Sequence, residues 1–298
     1  MGFFGSAEGY GRYRDAYAEA MRLSPKPVET RDVATRFGIA RVYRHGPDEG
    51  VPIVLVHPFF ATATSWAANI AGLAEHHPVY TLDALGQPGL SVQTAPIRTP
   101  EDNAACLGEV LGELGLGRVH LVGWSYGGWL SLQLALFDPD RIASLTLVDP
   151  ANTLARFSLG FRTRLLAIPI VAMAPALDPL VDRFTAWMVG NPDSNDPLRR
   201  EFLPILQLLQ TGARTYRPIG APFPSYPSDD RLRSLRSPVL ALIAGHSAVH
   251  DPNAALRRVR TLLPEAQTEL WPTATHALPT EFPDEVNQRI LGFIAQYD

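Results

Sequence analysis

The segment that most constrains the fold is residues 119–128, VHLVGWSYGG, where a strand-like run meets a Gly-x-Ser-x-Gly pattern. The run before Gly123 is apolar like a strand buried on both faces, and the residues after Ser125 have the apolar content of a buried helix. Gly123 and Gly127 have no Cβ, so the chain can turn sharply between the two elements and pack them closely. We expect this turn to hold Ser125 at the carboxyl end of the strand, where open α/β sheets bind ligands.

Short apolar runs and longer amphipathic stretches alternate along the chain from residue 52 onward. This alternation is typical of β-α-β units and predicts the α/β class, with a mostly parallel sheet of eight strands flanked by helices. The predicted strands cover residues 28–35, 38–43, 51–57, 79–83, 118–122, 143–149, 238–244 and 267–272. The predicted helices cover residues 7–23, 65–76, 100–114, 126–137, 252–263 and 283–297.

The alternation stops between about residues 151 and 236, where the sequence is helical in pattern and punctuated by prolines. We therefore predict three parts: an N-terminal helical extension at residues 1–27, a core at residues 28–150 and 237–298, and an inserted helical cap at residues 151–236. Extra helices that pack on the core without any part in binding are the alternative for this insertion. Its apolar side chains are Ile168, Ile170, Val171, Met173, Leu177, Leu180, Trp187, Met188, Phe202, Ile205 and Leu209.

The charge balance and the cysteine count narrow the range of partners and compartments. The 298 residues carry 26 basic and 30 acidic side chains without long blocks of one sign, which argues against a nucleic-acid partner. No apolar stretch reaches the roughly 18 residues that cross a bilayer. The one cysteine, Cys106, has no partner for an intrachain disulfide, which fits a reducing compartment. We predict a soluble, cytoplasmic protein that binds neither nucleic acid nor membrane.

Five segments together give the chain a recognisable resemblance. They are the strand end HPFF at residues 57–60, the turn DALGQPGLS at residues 83–91, the Gly-x-Ser-x-Gly turn, LVDP at residues 147–150, and His276 ahead of EFP at residues 281–283. In these segments the chain resembles the α/β-hydrolase superfamily, from about residue 28 to the C-terminus, and in particular its bacterial, cap-bearing esterase-type members. The resemblance implies the α/β-hydrolase fold and a hydrolase without a cofactor. No group of His, Cys, Asp or Glu has metal-ligand spacing on one element, so no metal site is predicted.

A serine hydroxyl is a weak nucleophile until a base takes its proton, so Ser125 needs a histidine beside it. His276 follows the last predicted strand and precedes the last predicted helix, which is where the superfamily carries its catalytic histidine. The other seven histidines fit less well, although His246 and His250 also lie on a loop that follows a strand. We predict His276 as the base.

The acid that orients this histidine has two candidates. The superfamily usually places an Asp or Glu three residues after the glycine that ends the seventh core strand, and counting from Gly245 that position is Ala248. Asp149, at the end of the preceding strand, is a location that some members use, and we predict that it is the acid. Asp251 is the alternative, although its place directly before Pro252 suits a helix N-cap. A site without an acid is the third alternative.

The oxyanion that forms during acyl transfer needs hydrogen-bond donors. The backbone N–H of Tyr126, directly after the nucleophile, is one donor that the resemblance implies. The second comes from the loop after His57, where Pro58 has no N–H to give. Phe59 is therefore the predicted second donor, with Phe60 as the alternative.

These residues together predict a serine hydrolase that works through an acyl-enzyme intermediate. The resemblance, together with the apolar insertion, favours a small hydrophobic carboxylic ester, thioester or lactone as substrate over a peptide or sugar. The aromatic residues near the turn that support this are Phe59, Phe60, Trp124 and Trp129. C–C bond hydrolysis, perhydrolysis and cyclisation are alternatives on the same scaffold. A ligand-binding homologue with a degraded site is a further alternative, because no acid stands at Ala248. The sequence leaves the oligomeric state open.

Overall fold

The computed structural model describes residues 1–164, 178–188, 200–218 and 222–298. The strands in these ranges are β1 (Phe3–Phe4), β2 (Glu29–Thr35), β3 (Gly38–His45), β4 (Ile53–Val56), β5 (Val79–Leu82), β6 (Val92–Gln93), β7 (Val119–Trp124), β8 (Ile142–Val148), β9 (Tyr216–Arg217), β10 (Val239–His246) and β11 (Gln267–Thr275). The α-helices that position the site and its surroundings are α1 (Ala7–Met21), α2 (Ala67–Leu73), α3 (Pro100–Glu113), α4 (Tyr126–Phe137), α5 (Asp178–Met188), α6 (Leu203–Thr215), α7 (Asp229–Arg233), α8 (Pro252–Leu262), α9 (Leu278–Glu281) and α10 (Pro283–Ile294).

One large sheet forms the centre of the protein. Its strands are hydrogen-bonded in the order β11-β10-β8-β7-β4-β5-β3-β2, and β6 pairs with the first residues of β3. Neighbouring strands from β11 to β5 are parallel, whereas β3 is antiparallel to β2, β5 and β6. The predicted α/β class is confirmed, and each of the eight predicted strands is present with ends shifted by at most three residues. The additional strand β6 has two residues, which is too short for a pattern to reveal.

The central strands are apolar because helices cover both of their faces. Each residue of β4, β7 and β8 is buried. Helices α3, α4 and α8 contribute to the core on one face of the sheet, and α2 and α10 contribute to the core on the other. Helix α4 is buried from Tyr126 to Ala135, in keeping with its largely apolar sequence. The turn between β7 and α4 therefore lies in the middle of the protein.

The N-terminal extension packs on the inserted segment. Strand β1 pairs antiparallel with β9, and α1 lies along α6. Tyr13 and Tyr17 of α1 share one buried cluster with Ile205 and Leu208 of α6. The extension therefore packs on α6 and β9 of the insertion, while the division into extension, core and cap stays a prediction. Residues Ile168, Ile170, Val171, Met173 and Leu177 of the predicted cap lie outside the described residues.

Candidate active site

Ser125 lies at a sharp turn between β7 and α4 and has an unusual backbone conformation. Its φ is 56° and its ψ is −115°, values that are rare for a residue with a side chain. The turn is possible because the flanking glycines leave room for the backbone. A Cβ at Gly123 would lie 2.3 Å from the carbonyl oxygen of Gly127, and a Cβ at Gly127 would lie 2.1 Å from that of Val56. Such strain held by close packing is common at functional sites.

His276 connects Ser125 and Asp149 through its two ring nitrogens. Nε2 lies 2.8 Å from Oγ of Ser125, and Nδ1 lies 2.5 Å from Oδ2 of Asp149. The three side chains come from the carboxyl ends of β7, β8 and β11, and they are nearly or fully buried. An ionised Asp149 can only accept, so Nδ1 carries a proton and Nε2 is free to accept the serine hydroxyl proton. This arrangement can activate a serine nucleophile.

The carboxylate of Asp149 is held by donors on both of its oxygens. The Ser247 hydroxyl donates to Oδ2 at 2.6 Å, and the Ala244 N–H donates to Oδ1 at 3.2 Å. Burial raises the pKa of this carboxyl, but the imidazoles of His250 and His276 outweigh burial and hold the pKa of Asp149 well below its usual range. The acid is therefore ionised at neutral pH, as a group that orients an imidazole needs to be.

Asp251, the alternative acid, lies elsewhere and caps a helix. Its Oδ1 accepts the backbone N–H groups of Asn253 at 2.8 Å and Ala254 at 3.2 Å, at the start of α8. Its side chain makes no hydrogen bond to His276 among the described residues. The structure thus brings Asp149, and not Asp251, to the histidine.

The two backbone amides predicted as oxyanion donors have no hydrogen-bond partner among the described residues. Tyr126 is the first residue of α4, so its N–H is one of those that a helix leaves without an internal partner. The N–H of Phe59 makes no hydrogen bond to any described residue. In contrast, Phe60 donates its N–H to Oε1 of Gln87 at 3.0 Å, which occupies the alternative donor. The arrangement favours Phe59 and Tyr126 as the oxyanion donors.

The side chain of His57 holds the loop that carries Phe59 through two hydrogen bonds. Nδ1 of His57 donates to the carbonyl of Pro58 at 2.7 Å, and Nε2 accepts the N–H of Ala84 at 2.9 Å. Burial lowers the pKa of His57 to about 4, so this imidazole is neutral at pH 7. Phe60, next to Phe59, has a positive φ of 60°. Sequence reasoning missed the bond to Gln87, since the two residues lie far apart in the chain.

Trp124 and Glu281 hold the histidine loop in place. Trp124 donates its indole N–H to the carbonyl of His276 at 2.8 Å. Glu281 accepts the N–H of Thr275 at 2.8 Å and its hydroxyl at 2.6 Å. Trp124 occupies the variable position of the Gly-x-Ser-x-Gly pattern, and its place directly before Ser125 is the one sequence signal that could have found it.

The aromatic residues expected around the site fall into two pairs. Trp124 and Trp129 are buried in the cores on opposite faces of the sheet, so they support the turn at Ser125 instead of lining a pocket. Phe59 and Phe60 are half-buried and pack edge-to-face on each other beside the nucleophile turn. These two rings therefore present partly exposed apolar surface next to the nucleophile turn.

The described part of the chain holds neither a metal-binding cluster nor a membrane-spanning helix. No group of three or more His, Cys, Asp or Glu side chains there is placed to hold a metal ion. No helix there is long and apolar enough to cross a bilayer.

Comparisons with known proteins concern the sequence and the fold as a whole. A model of the alpha/beta hydrolase family matches residues 53–289. The chain is 30% identical to the uncharacterized carboxylesterase nap of Bacillus subtilis (strain 168), over 95% of this chain and 92% of that protein. It is 28% identical to carboxylesterase YbfK of the same strain, over 98% of this chain and 96% of that protein. The crystal structure of naproxen esterase (carboxylesterase NP) from Bacillus subtilis matches with a TM-score of 0.85 and 28% identity, over 97% of this chain and 99% of that chain.

Proposed function

The chain belongs to the alpha/beta hydrolase family, and we propose that it is a serine hydrolase of carboxylic esters that works through an acyl-enzyme on Ser125. The observation that carries the proposal is the continuous hydrogen-bonded chain from Ser125 through His276 to the buried Asp149. The similarity to carboxylesterases over nearly the full length supports the choice of ester as the substrate class.

The proposed reaction begins with attack of Ser125 Oγ on the ester carbonyl carbon. As the new C–O bond forms, the hydroxyl proton moves to Nε2 of His276, and the N–H groups of Phe59 and Tyr126 bind the oxyanion. His276 then protonates the leaving alcohol oxygen as the ester C–O bond breaks, which leaves the acyl-enzyme. A water molecule gives its proton to His276 and attacks the acyl carbon, and Ser125 leaves with the proton restored. Asp149 stabilises the imidazolium in both halves of the reaction.

The substrate we propose is a small, hydrophobic ester, with thioesters and lactones as chemically equivalent acyl donors. The half-buried rings of Phe59 and Phe60 beside the oxyanion donors support an apolar acyl or alcohol group. We also expect the enzyme to act in the cytoplasm, in keeping with the buried free thiol of Cys106.

The alternative of a degraded, ligand-binding homologue rests on the missing acid at Ala248. Asp149 lies at hydrogen-bonding distance from His276, so no observation now favours that alternative.

Turnover of p-nitrophenyl esters from acetate to decanoate tests the proposal. We expect the wild-type protein to hydrolyse them with a dependence on chain length, and Ser125→Ala and His276→Ala to abolish turnover. Ser131→Ala is a matched control, because Ser131 is a buried serine of α4 whose hydroxyl has no hydrogen-bond partner in the described structure. A fluorophosphonate probe should label wild type and Ser131→Ala but not Ser125→Ala. An inactive, unlabelled wild-type protein would overturn the proposal.

A further inference from the structure

A second histidine lies against the acid of the site and has no part in the mechanism above. The side chain of His250 is fully buried, and its Nε2 lies 3.3 Å from Oδ1 of Asp149. Among the described residues, neither ring nitrogen of His250 has a hydrogen-bond partner of good geometry. Burying an imidazole in this state is unfavourable, so an apolar side chain would suit position 250 better if packing were its only role.

The backbone that carries His250 is held by the start of the insertion. Phe157 forms an antiparallel bridge with His250. Ser158 donates its N–H to the carbonyl of Val249 at 2.8 Å and its hydroxyl to the carbonyl of Ala248 at 3.1 Å. The imidazole is therefore carried on a fixed loop, and its distance from the carboxylate is set by the fold.

The two oxygens of Asp149 are not equally occupied. Oδ2 receives the Nδ1–H of His276 at 2.5 Å and the hydroxyl of Ser247 at 2.6 Å. Oδ1 receives the backbone N–H of Ala244 at the longer distance of 3.2 Å. Since a carboxylate oxygen can accept two hydrogen bonds, Oδ1 has room for a second donor, and Nε2 of His250 is the group beside it.

We propose that His250 is a positioning residue: a small rotation of its ring turns Nε2–H, 3.3 Å from Oδ1 of Asp149, into a donor to that oxygen. The bond orients the carboxylate toward His276 and reduces the negative charge that the carboxylate presents to it. The proposal rests on the ester hydrolysis proposed above. A carboxylate shared between two imidazoles stabilises a protonated His276 less than an unshared one does. The pH dependence of turnover is therefore a readout that the removal of His250 should change.

The other charged groups near this loop are engaged elsewhere. Asp251 caps α8, and Arg258 of α8 bonds to two backbone carbonyls and to Asp229. Arg156 of the insertion lies over an aromatic ring, with its guanidinium carbon 4.3 Å from the centroid. His246 ends β10 on the same loop, where it pairs with Thr275 of β11. Within the described residues, the ionisable side chain in contact with His250 is Asp149, and His276 bonds to the other oxygen of that carboxylate.

The test compares His250→Leu, which removes the donor, with His250→Gln, which keeps an N–H without an ionisable ring. His45→Leu is a matched control, because His45 is also buried and its Nδ1 has no hydrogen-bond partner among the described residues. His45 ends β3, which lies toward the opposite edge of the sheet from β10. For His250→Leu we expect kcat to fall about tenfold with little change in KM. The acidic limb of the kcat/KM profile should move up by about half a pH unit.

We expect His250→Gln to restore most of kcat and the wild-type limb, and His45→Leu to leave both unchanged. An acidic limb that stays in place or moves down in His250→Leu would overturn the proposal. If that variant does not fold, His250→Met carries the same comparison.

A readout without turnover separates this proposal from the function it rests on. The proton between His276 and Asp149 should give a downfield ¹H NMR resonance that His276→Ala lacks. We expect this resonance to move further downfield in His250→Leu, as the carboxylate regains charge. An unmoved resonance contradicts the role of His250, whereas an ester-inactive wild type with a moved resonance contradicts only the ester substrate.

Discussion

Replacement of Asp149 by asparagine tests the acid of the site most directly. The groups that bond to this carboxylate all donate: Nδ1 of His276, the Ser247 hydroxyl and the Ala244 N–H. An amide has one acceptor oxygen and one NH₂ group, so in either orientation the NH₂ of the Asp149→Asn side chain meets a donor. The substitution keeps the size of the side chain, and the positive φ of 39° at this position is one that asparagine tolerates.

Both orientations of the amide weaken the base. With the NH₂ toward His276, the imidazole must carry its proton on Nε2 and can no longer accept the proton of Ser125. With the carbonyl toward His276, no negative charge stabilises the imidazolium, and the NH₂ opposes the Ala244 N–H. We expect kcat to fall about 10⁴-fold, as in other Ser-His-Asp triads, which corresponds to about 5.5 kcal/mol of transition-state stabilisation.

Asp251→Asn is the matched control, because it makes the same chemical change on the neighbouring loop. Asparagine caps helices as well as aspartate does, so the bonds to Asn253 and Ala254 survive and stability should change by less than about 1 kcal/mol. The assay is kcat on p-nitrophenyl butyrate, with urea unfolding of each variant to verify folding. Loss of activity in Asp251→Asn with retention in Asp149→Asn would refute the assignment of the acid.

Gly127→Ala should inactivate and destabilise the protein, because its Cβ would lie 2.1 Å from the Val56 carbonyl oxygen. Gly292→Ala is the control on α10, where a Cβ meets open space, and it should stabilise the protein by about 0.5–1 kcal/mol. Equal urea midpoints for the two variants would contradict this packing argument. His57 should make the folding stability depend on pH. Burial lowers the pKa of His57 to about 4, so below about pH 6.5 the unfolded chain binds a proton that the folded protein does not. The free energy of unfolding should therefore fall by up to about 3 kcal/mol as the pH drops from 6.5 to 4. Urea titrations of His57→Gln should show a weaker dependence of this free energy on pH. The same dependence in wild type and variant would exclude His57 as the cause. Trp124→Phe loses the indole N–H that holds the histidine loop, and we expect a several-fold fall in kcat at unchanged KM. A change in KM alone would instead place Trp124 in substrate binding.

The turn at Ser125 could be predicted from the sequence because its causes are local. The missing Cβ atoms of Gly123 and Gly127 and the apolar runs on either side fix the strand, the turn and the helix within ten residues of each other. Gln87 and His250 could not be predicted in the same way. Each acts through a contact between residues that are distant in the sequence, and neither position carries a pattern that distinguishes it from a loop residue.

The position of the acid depends on the order of strands in the sheet. Strands β8 and β10 are parallel neighbours in which Val148 pairs with Leu242, and the N–H of Asp149 donates to the Leu242 carbonyl at 2.8 Å. Because paired strands lie about 4.8 Å apart, side chains that follow either strand can reach the same histidine. An acid after β8 can then replace one after β10. The loop after β10 supplies Ser247, which donates to the carboxylate, and His250, whose Nε2 lies 3.3 Å from it. Both loops can be located in the sequence, but the fact that they are neighbours cannot. The sequence alone therefore leaves both Asp149 and Asp251 as candidates for the acid.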